Sequence, residues 1–110
     1  MVNYVNDTIA ALATPYGVGA IAVIRISGED LQPLIPQLTD KSRLTPRYAT
    51  LVTLKSPSSG VNIDQSIITF FPGPDSYTGE DLIEISCHGG EYISRSILSE
   101  LIAFGVRSAN

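Results

Sequence analysis

Two short stretches of this chain place polar, chemistry-bearing side chains inside otherwise apolar runs. In DLIEISCH, residues 81–88, successive side chains of an extended strand point to opposite faces. Ile83, Ile85 and Cys87 then share one side and Leu82, Glu84, Ser86 and His88 the other. The first set is core material. The second is too polar for a second core face, so it meets solvent, a ligand or another protein. AIAVIRIS, residues 20–27, raises the same question, because Arg25 interrupts an apolar strand on the face of Ile21 and Val23. A charge there cannot be buried without a partner. If the two strands are neighbours, Glu84 is the natural partner for Arg25 or a second member of one ligand site. The pattern alone leaves open a structural ion pair, or two separate surface charges.

Other candidates are weaker. Cys87 beside His88 suggests a thiol and its base, but adjacent strand residues point apart, and a buried structural cysteine fits the pattern better. His88 suits a strand-to-helix turn or a pocket lining. One Cys and one His are too few for a zinc site. The GVG at 17–19 is not followed by a GxGxxG, and no GxxxxGK[ST] occurs, so the usual nucleotide-binding loop is missing from these residues. Gly89-Gly90 would make a tight turn before the last helix, or hold an anion on free amides. Tyr77 sits among prolines and glycines in a rigid loop that binds something or crosses the sheet edge.

The elements that must position these residues follow from periodicity. Strands are expected over 7–14, 20–27, 47–55, 63–71 and 81–87, with an antiparallel hairpin across SPSSGVN. Ser27 with Asp30 resembles a capping box, and Leu31, Leu34, Ile35 and Leu38 keep helical spacing. Pro33 and Pro36 limit that helix to a short or distorted one. A final helix buries a stripe of Ile93, Ile97, Leu98, Leu101 and Ile102 and is capped by Gly105. GVRSAN reads as a strand beginning or a linker, as in a segment of a longer protein. The order β-β-α-β-β-β-α predicts an α+β two-layer domain, a mostly antiparallel sheet with helices packed on one face.

Composition narrows the class. A chain of 110 residues with 44% hydrophobic content fits one domain, here 1–110, with a core that needs no disulfide or metal. Seven basic against eleven acidic residues give a net charge of −4, and the basic ones are scattered, so autonomous nucleic-acid binding is disfavoured. The single cysteine excludes an intrachain disulfide, and MVNYVND lacks the features of a signal peptide, so a cytoplasmic location is expected. Apolar runs such as Ala20 to Ile24 fall far short of the roughly 20 residues of a membrane span, so no membrane association is expected.

DTIAALATPYGVGAIAVIRISG, then PRYA at 46–49, then FPGPDSYTGEDLIEISCHGG closely resemble the amino-terminal domain of the tRNA modification GTPase MnmE (TrmE) family. The stretches are long, collinear and spread over almost the whole chain. The resemblance implies a non-catalytic domain that forms a homodimer and binds 5-formyltetrahydrofolate, a one-carbon donor for wobble-uridine modification of tRNA. It places Arg25 and Glu84 on the two family positions associated with the folate in this part of the sequence. It also implies tRNA and the flavoprotein MnmG (GidA) as partners of the whole protein, and GTP, Mg2+ and K+ as ligands of a GTPase domain outside these residues. A further folate-contacting lysine and a carboxy-terminal catalytic cysteine of the family lie beyond residue 110, so Cys87 is not that cysteine. Many members carry PPGRG where this chain has Pro15-Tyr16-Gly17-Val18-Gly19, so any contact made by that arginine is absent. Two other readings stand beside this one. One is an assembly module without a ligand. The other is an aminomethyltransferase-like folate enzyme drawing an acid or base from Asp75, Glu80, Asp81 or His88.

Overall fold

A computed structural model describes residues 8–13, 21–88 and 91–108. The PYGVG loop, the ends of the first expected strand and the Gly89-Gly90 pair lie outside them. Six strands form one sheet: β1 (Ile9–Leu12), β2 (Ile21–Gly28), β3 (Thr50–Lys55), β4 (Asn62–Phe71), β5 (Asp81–His88) and β6 (Arg107–Ser108). Their order across the sheet is β3-β4-β5-β2-β1-β6, antiparallel throughout except for β6 beside β1. The start of GVRSAN is therefore a strand, reached from the last helix through a short turn.

The helices cover one face. Pro33 and Pro36 have the expected effect: a 3-10 turn over Gln32–Leu34 runs into a single α-turn, α1 (Ile35–Leu38). Leu31, Leu34, Ile35 and Leu38 are nevertheless fully buried. The second helix, α2 (Glu91–Phe104), ends as expected at Gly105, whose φ of 117° suits a residue without Cβ. Val106 N–H returns to the Leu101 carbonyl at 2.9 Å, the longer-range bond of a glycine-terminated helix. Beneath the helices lies one core in which Ile24, Ile26, Ile68, Ile83 and Ile85 are wholly enclosed. The fold is thus the expected α+β domain of two layers.

Two sequence readings are corrected. Ser27 caps no helix. It belongs to β2, and its hydroxyl donates to Thr78 Oγ1 at 2.8 Å and Glu80 Oε1 at 3.1 Å. The turn at Leu31 has no side-chain cap of its own; Asp81 on β5 accepts the Leu31 N–H at 3.1 Å instead. Ile102 does not join the buried stripe and is 47% exposed. At about 100° per residue it sits some 140° round the helix from Ile97, outside the apolar arc. Ser94 occupies part of that arc and is buried.

At the far end of β5, His88 is fastened to β4. Asp64 accepts the His88 backbone N–H at 3.1 Å with Oδ2 and meets His88 Nδ1 at 2.7 Å with Oδ1. Burial pushes the Asp64 carboxyl up, but the His88 N–H, the His88 ring and the Ser66 hydroxyl outweigh it and hold the group below its ordinary range.

Two outcomes follow from this packing. Ile83→Ala removes a wholly buried side chain between helices and sheet, and should cost about 2–5 kcal/mol in denaturant unfolding; a loss below about 1 kcal/mol would contradict the core described. A carboxyl depressed in the folded state stabilises above its unfolded pKa of about 3.9 and loses that contribution as pH falls through the folded value. Melting temperature should therefore fall less steeply below about pH 4 in Asp64→Asn than in the wild type, and parallel profiles would show that the clasp carries no such linkage.

Candidate functional site

The antiparallel register of β2 against β5 sets Arg25 directly opposite Glu84, Val23 opposite Ser86 and Ser27 opposite Leu82. Directly opposed residues of paired strands project to the same face, the one the helices leave open. Arg25 Nε donates to Glu84 Oε2 at 2.8 Å, with side chains 44% and 30% exposed. Thr69 of β4 flanks Glu84, and Ala11 of β1 flanks Arg25, so the pair occupies the middle of a four-strand row. The two residues expected to share a site are together. What joins them is the ion pair that the sequence pattern left open. An exposed pair of this kind is worth about 0–1 kcal/mol, so one of the partners can be turned to a ligand at little cost.

The expected set Leu82, Glu84, Ser86 and His88 divides along its length. Leu82 is 2% exposed because the loop 72–80 folds over that end of the face. Glu84 and Ser86 are half-buried and His88 is exposed. His88 stands four residues along β5 from Glu84, engaged with Asp64 rather than with the ion pair. Cys87 faces the core, where its Sγ donates to the Ala22 carbonyl at 3.5 Å. Burial, and after it the Asp64 charge, push its thiol up, away from the thiolate form a nucleophile needs.

The loop 72–80 is built by short-range bonds that the sequence did not reveal. Asp81 accepts the Gly73 N–H with Oδ1 at 2.9 Å while its Oδ2 takes the Leu31 N–H, so one carboxylate ties the loop to the turn after β2. The Ser76 hydroxyl donates to the Glu80 carbonyl. Gly73 lies so near Glu80 that a Cβ would stand 2.7 Å from its carbonyl carbon, and Gly79 has a φ of 83°. Held this way, the loop sets the Tyr77 ring over the Arg25 guanidinium, 5.5 Å from Cζ to centroid.

Between loop and sheet runs a groove of about 510 Å3, bordered by Glu84, Leu82, Phe71, Pro74, Tyr77 and Arg47. Its lining mixes apolar residues with a few polar and charged groups, as in small-molecule sites. Of the four acid-base candidates, Asp75 borders the groove, whereas Glu80, Asp81 and His88 are bonded to Ser27, to two backbone amides and to Asp64. Arg47 was not foreseen as a site residue. Nothing local to PRYA shows that it meets the end of β4, where the Arg47 N–H bonds the Phe70 carbonyl.

Comparison with known proteins identifies the family of the chain. The family model described as the GTP-binding protein TrmE N-terminus matches residues 8–110. A tRNA modification GTPase MnmE from a Nitratiruptor species is 49% identical over 105 residues, covering 96% of this chain and 23% of that protein. Proteins of the same name from strains of Helicobacter pylori and Campylobacter jejuni are 46% and 43% identical, each covering 94% of this chain and 23% of the relative. The chain thus spans about a quarter of the length of the curated relatives it matches. On the family match and these identities, the chain belongs to the TrmE/MnmE amino-terminal domain family.

Proposed function

We propose that this chain is a folate-binding and dimerisation domain that serves tRNA modification, with 5-formyltetrahydrofolate as its ligand. The observation that carries the reading is the Arg25–Glu84 pair, opposed across the two central strands and beside a groove that Glu84 and Tyr77 border. A reduced pterin presents an exocyclic amine next to a ring N–H, and a carboxylate accepts both in a bidentate contact that fixes orientation. Glu84 has two oxygens, and Arg25 Nε occupies only Oε2. Arg25, freed or shared, offers a planar fork to a ligand carbonyl or carboxylate, a contact lysine cannot reproduce. The fit is therefore chemical: an acceptor and a donor fork side by side, with an aromatic ring against the fork.

The chain's own residues would bind and orient this ligand, and the folate would supply the one-carbon unit. In the same reading the larger protein, with GTP, Mg2+ and K+ bound elsewhere in it, acts on wobble uridines of tRNA together with the flavoprotein MnmG in the cytoplasm. Its domain here contributes no catalytic residue. Among the described residues no helix is long and apolar enough to cross a membrane.

Dimerisation has its own support. Ile21, Leu51 and Ile67 are 62%, 60% and 39% exposed and stand on the face that the helices leave open. Apolar side chains gathered on one open face suit an interface with a second copy, with or without a ligand nearby.

Titration with 5-formyltetrahydrofolate should show saturable binding that Glu84→Gln weakens by about 10- to 100-fold, the worth of a charge-assisted bidentate contact. Unchanged affinity in that variant would exclude Glu84 as the pterin acceptor. In sedimentation equilibrium, Ile67→Lys should raise the dimer dissociation constant about tenfold or more. An unshifted monomer–dimer balance would place the interface on another surface.

A further inference from the structure

The groove beside Glu84 has a second charged wall, and Arg47 makes it. Arg47 takes a φ of 67°, the only positive value among the described non-glycine residues. Its backbone N–H donates to the Phe70 carbonyl at 2.8 Å, anchoring the segment before β3 to the end of β4. From there the guanidinium reaches over Phe71, with Cζ 5.7 Å from the ring centroid, and Nη2 donates to the Asp75 carbonyl in the loop 72–80. Arg47 is exposed and forms no ion pair among the described residues. This exposed side chain, carried on a left-handed backbone residue and steadied by a ring and a loop carbonyl, is oriented at the groove without taking part in the core.

The groove is consequently polarised. Glu84, an acceptor, lies two residues along β5 from Leu82; Leu82 is paired with Phe71 of β4; and Arg47, a planar donor fork, lies over Phe71, so the two charges border one groove with apolar residues between them. The complementary occupant has hydrogen-bond donors on its head, a flat apolar middle and an anionic tail. A guanidinium beside an aromatic ring matches a carboxylate in particular, because its parallel N–H groups meet both oxygens.

We propose that Arg47 is a specificity-determining residue that takes the carboxylate tail of the ligand and so selects pterins bearing an acidic aryl tail over bare pterins. The proposal rests on the folate reading of Glu84. Arg47 contributes to selection among pterins, and Glu84 to recognition of the pterin ring itself.

The test compares two probes by calorimetric titration of the protein at its natural length: 5-formyltetrahydrofolate, and 5-formyl-6-methyltetrahydropterin, which keeps the ring system and lacks the aminobenzoyl-glutamate. The wild type should bind the tailed compound about tenfold or more tightly, the scale of one charge-assisted contact. Arg47→Gln should weaken only the tailed compound and abolish the preference, whereas Glu84→Gln should weaken both by the same factor and preserve it. If Arg47→Gln does not fold, Arg47→Lys carries the same comparison with a reduced preference. Equal weakening of both probes by the Arg47 variants would make Arg47 a prop for the loop and overturn the proposal. Equal binding of both probes by the wild type would overturn it while leaving the folate reading standing, and binding of neither would remove that reading and this one together.

Discussion

The pairing register of β2 against β5 is the constraint on which the rest of the molecule depends. Side chains alternate with a period of two, so a one-residue slip of β2 would carry Arg25 into the helix-covered core and turn Ile24 and Ile26 out to solvent, and a slip of β5 would do the same to Glu84, Ile83 and Ile85. Both consequences are costly, one through buried charge and the other through lost apolar burial. The same alternation that builds the core therefore fixes the ion pair on the open face. No separate device is needed to bring two residues 59 positions apart to 2.8 Å.

A second device sits at the beginning of β5. Asp81 is the first residue of that strand, and its carboxylate accepts from Gly73 on one oxygen and Leu31 on the other. Two otherwise unpaired backbone donors are satisfied, one at the head of the loop 72–80 and one where the chain leaves β2 for its 3-10 turn. Ser27 adds a third tie through Thr78 and Glu80. Tyr77 is 85% exposed, and its position over Arg25 derives from this framework rather than from burial of its own ring. The groove is thus shaped in part by hydrogen bonds that converge on a strand end.

Much of this was legible in the sequence where a single element determines it. The alternation of DLIEISCH, the hairpin at SPSSGVN, the proline-limited helix and the glycine stop at Gly105 are all local, and each reappears in the fold. The pairing of Arg25 with Glu84 was open to inference because charges on apolar strands need partners. What could not be read depends on contacts between distant segments. Ser27 and Asp30 have the spacing of a capping box, yet the strand claims Ser27 and Asp81 supplies the missing acceptor from 50 residues away. Asp64 gives no local hint that it holds His88, and Arg47 none that it meets Asp75. Ile102 departs from the pattern for another reason: the five apolar positions span a wider arc than this helix buries.

The electrostatics of the open face gives the fold and the proposed chemistry a common basis. The chain carries a net charge of −4, so a dianionic ligand gains no general attraction and must be held by particular cations. Arg25 and Arg47 are both near the groove, and each is already oriented, Arg25 by Glu84 and Tyr77, Arg47 by Phe71 and Asp75. Orientation before binding lowers the side-chain entropy lost when a ligand arrives. The contacts that orient them are surface ones, worth about 1 kcal/mol or less each, so a carboxylate or carbonyl can replace or share them without disturbing the core. A sheet bearing weakly restrained, pre-aligned guanidinium groups can therefore exchange an internal partner for an external one while the core beneath keeps its packing.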